Sequence, residues 1–393
     1  MQQIVQSIKD RSIAGTNLHD LTLVTAFHDL SKYEKRNVWK TLDNYFEWAS
    51  ILFVLDINLV IFTSAEYVDR IMEARKNHNL LHKTVVCVKE FEELPFANRY
   101  DELNGYFTET NLLLDNSVVK ARYTTRYAIL NWNKMYFLKE IIEKNFFGTN
   151  YIGWIDFGIY NSCNTHMPEN IYEVLSPKTD KVGIMELHYT SDAEIADLRK
   201  YASTIQCKTA AGIFIGCVSY MTKFIDAFDK ILADLLSKHI ILFEEGIFGI
   251  MTLKNADLIE LSFGYYGHMM INYGKIRDPT SIIFNNMKNK LALGNPAGSF
   301  YVGEKLYTDC LDKLNPYQLF EMFDNQIISG FYYGKKKEIE TYAENFLVQV
   351  EKNPDLMKLF LVNKARMIMN FSFLGNKEYL NRKVNNLCAK SIT

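Results

Sequence analysis

A chain in which short, apolar, β-rich runs alternate with segments of helical period can close its core in only a few ways. Six runs read as strands: LTLVTAF (Leu21 to Phe27), NLVIFTS (Asn58 to Ser64), KTVVCV (Lys83 to Val88), YIGWIDF (Tyr151 to Phe157), VGIMELHY (Val182 to Tyr189) and GIFIGCV (Gly212 to Val218). Helical segments come between and after them. One, rich in Tyr and Trp, runs from Trp39 to Phe53, and a charged amphipathic helix passes through Arg70 and Ile71. The spacing predicts a long helix from Arg122 to Phe146, with Tyr127, Leu130, Leu138 and Ile141 on one stripe. Another, from Met221 to Leu236, gathers Phe224, Phe228, Leu232 and Leu235 on one side. HIILF (His239 to Phe243) reads either as a short strand or as the run-in to a further helix. Alternation of this kind implies an α/β domain with a largely parallel sheet covered by helices.

The character of the chain changes after about Tyr273. RDPTS and LGNPAGS carry proline and glycine punctuation. From Asn315 onward helical periods dominate, with one stripe through Ile339, Tyr342, Phe346, Leu347 and Val350 and another through Leu359, Phe360, Met367 and Phe371. The expected division is an α/β domain over residues 1–275 and a mainly helical C-terminal extension over residues 276–393.

Composition narrows the function classes. With 48% hydrophobic and 14% aromatic residues the chain can bury a large core, which excludes global disorder. A net charge of -2 supplies no basic face of the kind a nucleic-acid binder needs, so no nucleic-acid partner is expected. The six cysteines form no C-x-x-C pair and no Cys/His ladder, and read as core thiols in a reducing compartment. The opening residues MQQIVQSIKDRS lack a signal-peptide core. The run ILFVLDINLVIF is broken by Asp56 and Asn58 and falls short of the ~20 residues a spanning helix needs. A cytoplasmic protein is expected, with room for peripheral membrane contact.

Three places carry candidate chemistry. In WIDFGI an apolar strand delivers Asp156 to its end, with Gly158 two residues on. Ligands of open α/β sheets bind outside the carboxyl ends of strands, where a carboxylate can hold a hard divalent cation bridging a diphosphate. The plainer reading is an aspartate that caps the next turn. Lys134, flanked by Asn131, falls inside the apolar stripe of its helix. Either its stem snorkels to water, or its ammonium meets an anion such as a donor diphosphate. Glu244 and Glu245 follow HIILF at a helix start, where the dipole favours them; one of the two could equally serve as general base. His268 and His166 are lesser candidates for metal or phosphate contact, and Gly212 and Gly216 either make room for a sugar or serve close packing.

There is no phosphate-loop G-x-x-x-x-G-K-[ST], no G-x-G-x-x-G after the first strand and no G-x-S-x-G elbow. The ordered set LTLVTAFHDL, Arg36, YFEWASILF, NLVIFTS, KTVVCVKEFEELPF, WNKMYFLKE, WIDFGI, AGIFIG, FEEGIFG and YYGHMMINY resembles the bacterial HtrL/YibB (WlaTC/HtrL) family, over roughly Leu21 to Tyr273. That resemblance implies a GT-A-like fold, a Rossmann-like mixed sheet with flanking helices, and transfer of a sugar from a nucleotide donor. It places Val24, Thr25 and Ala26 near the base or ribose, Asp156 at the metal-binding aspartate position, and Glu244 and Glu245 on the acceptor side. The usual D-x-D pattern is not met, because Asp156 is followed by Phe157 and Gly158.

The expectation is a glycosyltransferase assisted by Mn²⁺ or Mg²⁺, acting on a nucleotide-sugar donor and a glycan or glycolipid acceptor. Thr25, Ala26, Asn131, Lys134, Asp156 and Gly158 would hold the donor, Asp156 and His268 the metal, and Glu244 or Glu245 would act in catalysis. Its rivals are a binding module without turnover, suggested by the missing second carboxylate, and a nucleotidyltransferase, which TAFHDLSKYEKR disfavours because it contains no glycine.

Overall fold

The computed structural model describes residues 2–11, 18–34, 41–111, 124–163, 167–168, 170–188, 190, 192–203, 208–264, 266–273, 280–292, 296–372, 374 and 376–390. Arg36, Arg122 and His166 lie outside them. The chain forms two compact units, Met1–Leu187 with Asp197–Arg277, and His188–Ala196 with Asp278–Thr393.

The first unit is built on a seven-stranded sheet of order β3-β2-β1-β4-β6-β5-β7. The strands are β1 Leu21–Phe27, β2 Asn58–Thr63, β3 Thr84–Val88, β4 Tyr151–Ile155, β5 Val182–Glu186, β6 Thr209–Cys217 and β7 Ile259–Phe263. β1 is parallel to β2 and β4, β2 to β3, and β5 to β7, whereas β6 runs antiparallel to both β4 and β5. The sheet is therefore mixed but largely parallel, with β6 running against the other six strands. All of β1 is buried except Ala26, as expected of a continuous apolar run with both faces covered.

This order decides where a ligand can sit. From β1 the chain moves outward to β2 and β3, then returns to place β4 on the other side of β1. Connections leave β1 and β4 in opposite directions, which opens a crevice at their carboxyl ends.

Several expectations shift by a few residues. The long helix spans Thr125–Lys144, started by the Thr124 hydroxyl, which accepts a hydrogen bond from the Tyr127 N–H, and ended by Asn145 in the left-handed region. HIILF is not a strand: His239 turns the chain at φ 56°, and the next residues lead into the helix Glu244–Lys254. β7 went unforeseen. Its IELSF is short and carries Glu260, so no apolar run announces it.

Arg75 fixes one edge of this unit. Wholly buried, its guanidinium donates to the carbonyls of Leu52, Phe53, Leu55, Ile57 and Lys83, and its Nε donates to the Thr84 hydroxyl. One side chain thereby satisfies the irregular backbone that leads into β2 and β3.

The second unit is helical over its described residues beyond 278. Helices begin at Thr280 and at Pro296, earlier than Asn315, because the prolines of the loop-like stretches precede or open helices rather than prevent them. The helix Pro316–Tyr333 has a reciprocal cap between Asn315 and Gln318, and ends at Gly334 with φ 80°. Ile339, Phe346, Leu347, Val350, Phe360, Met367 and Phe371 are buried in its core, with Tyr342 and Leu359 partly covered. Buried Asp324 pairs with Arg366 and accepts from the Asn370 amide.

Candidate active site

The crevice at the ends of β1 and β4 is an open cleft lined by Ala26, Phe27 and His28 from the end of β1, and by Trp154, Asp156, Phe157 and Gly158 from the end of β4. Tyr127, Leu130, Asn131 and Lys134, spaced three to four residues apart, bring one face of the Thr125–Lys144 helix to it. Tyr45, Trp48 and Tyr266 complete an aromatic rim.

Lys134 neither snorkels nor waits for a ligand. It is 4% exposed, and its ammonium lies 3.0 Å from Asp156 Oδ1 and 2.9 Å from Glu244 Oε1 while donating to the Ala211 carbonyl at 3.2 Å. Its three N–H bonds thus have three acceptors, and the Trp154 ring centre is 5.5 Å away. Burial works against this charge, but Asp156 and Glu244 outweigh it and hold the ammonium above the ordinary lysine range. Burial pushes the Glu244 carboxyl up against the pull of Lys134. The charge on Lys134 is the firmer assignment, since two acidic groups share it.

Asp156 is the accessible member of the trio, with 36% of its side chain exposed, against 5% for Glu244. Its N–H donates to the Gly212 carbonyl of β6 at 2.8 Å, and its Oδ1 accepts from the Trp154 indole at 2.6 Å. That oxygen is thus engaged by Trp154 and Lys134 rather than by the turn that follows. One cation between two carboxylates leaves a formal excess of one negative charge.

The other expected residues separate. Ala26, Asn131 and Gly158 line the cleft; the Asn131 amide donates to the Tyr127 carbonyl at 2.9 Å. Thr25 is fully buried, its hydroxyl unpartnered, and lies further down β1 from the cleft than Ala26, Phe27 and His28, which line it. A Cβ on Gly158 would meet the Tyr45 ring at 3.4 Å, an ordinary contact, so no backbone cradle depends on that glycine. Gly212 and Gly216 serve close packing, against Ile159 and Met269 and against Val182 respectively. Glu244 sits behind Lys134, while Glu245, about 100° around the helix, has its carbonyl bonded by the Thr209 hydroxyl at 3.1 Å.

For a metal, Asp156 stands alone in the cleft among the described residues. No group of three or more His, Cys, Asp or Glu is close enough to share an ion. His268 lies in the turn Tyr266–His268, its side chain outside the described set. With an ammonium already against Oδ1, the described residues of the cleft do not by themselves make up a divalent-cation site.

His28 was missed. It is the first residue after β1, 6% exposed, stacked on Phe137 (6.3 Å, 12°) and edge-on to Phe91. Burial draws its pKa down to about 4 against the opposing pull of Glu90 and Glu92, and neither ring nitrogen has a partner. The available signal was positional: a polar residue at the carboxyl end of the central strand.

Among the described residues no helix is long and apolar enough to cross a membrane. A family model described as "Bacterial protein of unknown function (HtrL_YibB)" matches residues 19–270. Protein HtrL of Escherichia coli (strain K12) is 22% identical over 256 residues, covering 62% of this chain and 87% of that protein. The crystal structure of mouse xyloside xylosyltransferase 1, apo form, aligns at 11% identity and a TM-score of 0.35, covering 62% of this chain and 84% of that one.

Proposed function

We propose that this chain, which belongs to the HtrL/YibB family of bacterial proteins, is a glycosyltransferase that moves a sugar from a nucleotide donor to a glycan or glycolipid acceptor in the β1/β4 cleft. The observation that carries this reading is the Lys134–Asp156–Glu244 cluster at the crevice where the sheet order reverses. A buried ion cluster with one member open to an aromatic cleft is the setting in which proton transfer and sugar stacking meet.

In this reading Asp156 is the general base. The acceptor hydroxyl gives its proton to the open carboxylate, its oxygen bonds to the anomeric carbon, and the bond from that carbon to the diphosphate oxygen breaks, its electron pair leaving with the phosphate. Lys134 is the cationic residue of the described cleft wall, His28 being neutral at ordinary pH. When Asp156 takes the proton, Lys134 loses one of its two counter-charges, and its field turns to the leaving diphosphate. Glu244 is a positioning residue, holding the ammonium from behind.

The competing reading is a binding module without turnover. The single open carboxylate of the cleft favours it. The experiment is thermal stabilisation by a panel of nucleotide sugars and nucleoside diphosphates, with and without Mn²⁺, followed by nucleotide-sugar hydrolysis. A shift with one nucleotide family, and hydrolysis lost in Asp156→Asn while the shift persists, supports the transferase. A shift without hydrolysis favours the binding module, and folded protein that responds to no nucleotide overturns the transferase reading and leaves a module that binds glycans or partners without turnover.

A further inference from the structure

A second recessed surface lies across the Thr125–Lys144 helix from the cleft. Lys134 and Tyr136 leave that helix about 200° apart; the first faces the cleft and the second lines this groove. The groove is walled by Phe96, Tyr106, Tyr136 and His239, with Arg99 and Asp229 among them. The rings of Tyr106 and His239 lie face to face, with centroids 4.2 Å apart and planes within 7°. Phe96 meets Tyr136 edge-on at 5.7 Å. The Tyr136 hydroxyl bonds to the Asp229 carboxylate, whose Oδ1 is buried and accepts no hydrogen bond.

The backbone around this groove is unusual. Among the described residues, the non-glycine positions with positive φ are Asn79, Phe96, Asn145 and His239. Asparagine adopts this region with little cost, but a bulky ring residue such as Phe96, at φ 71°, is an outlier. Phe96 and His239 both line the groove. Strained residues persist where their surroundings over-determine them. Here the buried Asn133 amide donates to the Pro95 carbonyl at 3.1 Å, the buried Thr110 hydroxyl to the His239 carbonyl at 3.4 Å, and the Arg199 guanidinium to the Lys238 carbonyl at 3.0 Å. Three side chains thus clamp the two turns that present these rings.

We propose that this groove is a carbohydrate-binding subsite that holds part of a neutral glycan away from the cleft. Aromatic faces cover the C–H face of a sugar ring, and Asp229, partly buried on the groove wall, offers a carboxylate as acceptor for a hydroxyl. Phosphate is disfavoured, because Arg99 is committed to both oxygens of Glu102. The proposal deepens the transferase reading by naming the acceptor's class, and rests on it only for the link to turnover.

The test titrates the full chain with malto-, cello- and chitooligosaccharides by calorimetry and saturation-transfer NMR, with nucleotide-sugar hydrolysis measured in parallel. One series is expected to bind. Tyr106→Ala and His239→Gly should each weaken that binding about tenfold and leave the stabilisation by nucleoside diphosphates unchanged. His239→Gly suits the positive φ, so its melting temperature should not fall, which separates loss of the ring from loss of the fold. Binding indifferent to both substitutions, or no binding from any series, overturns the proposal. Groove-dependent glycan binding without any response to nucleotides supports the subsite and overturns the transferase reading instead.

Discussion

Lys134 Nζ stands 3.0 Å from Asp156 Oδ1, joining the middle of a buried helix to the open end of β4. Behind that pair, Glu244 is buried with Lys134 as its counter-ion. Lys134→Met keeps the volume and strands the Glu244 charge, so it should destabilise the fold by about 3–5 kcal/mol. Adding Glu244→Gln should recover much of that loss. Urea unfolding of both single variants and the double variant gives the coupling; simple additivity would mean that the pair is not held as described.

His28 makes stability depend on acid pH. Its pKa lies at about 4 against an ordinary 6.5, so the unfolded chain takes up the proton first. Its contribution is complete above about pH 6.5 and is lost as the pH falls toward about 4, by roughly 3 kcal/mol in all. The groups facing it are Glu90 and Glu92, and both oppose the shift. Unfolding free energies of wild type and His28→Phe, compared across this window, should converge as the pH falls; parallel curves would count against the buried neutral imidazole.

Arg75 donates to four buried carbonyls of the irregular backbone between Leu52 and Ile57. Arg75→Met should cost about 3–5 kcal/mol, since several buried carbonyls lose their donors. Arg75→Lys should recover little, because an ammonium cannot span the fork that the guanidinium fills. Chemical denaturation of the two variants checks both statements, and a lysine variant close to wild type would refute the second.

Gly153 lies opposite Ile215 in the β4–β6 pairing. A Cβ there would come within 2.5 Å of Ile215 Cγ1 and 2.9 Å of the Phe214 carbonyl oxygen. Gly153→Ala should therefore cost about 1–3 kcal/mol through overpacking. Combining it with Ile215→Ala removes the clashing Cγ1, so the double variant should lose less stability than the sum of the two single variants. Simple additivity would place the strain elsewhere.

The sheet was legible where burial is two-sided and the run continuous. β1 was read to the residue, and β2 and β3 to within one. β7 was not, since a short strand at the end of the sheet needs no unbroken apolar run. The direction of β6 was hidden as well, because an apolar run carries no mark of which way its neighbours go. At the site, Lys134 announced itself as a charge inside an apolar stripe, but its second partner did not. Glu244 lies 110 positions further along the chain, and no local pattern links the two. Thr25 stands apart from Ala26 in the fold, being fully buried while Ala26 lines the cleft, a difference that adjacency in sequence does not reveal.

The antiparallel course of β6 also sets an order of assembly. Running backwards, β6 brings its early residues Ala211 and Gly212 to the open ends of the strands, where their main-chain oxygens receive Lys134 and the Asp156 N–H. No side-chain substitution on β6 can remove those two acceptors. During synthesis the Lys134 charge meets Asp156 first, and gains its main-chain acceptor on Ala211 and its second carboxylate only as the chain grows on to Glu244. A chain ending just past Asp156 would hold one of the three acceptors of Lys134 and none of β6. The ion cluster of the first unit is therefore complete only once the helix Glu244–Lys254 is in place.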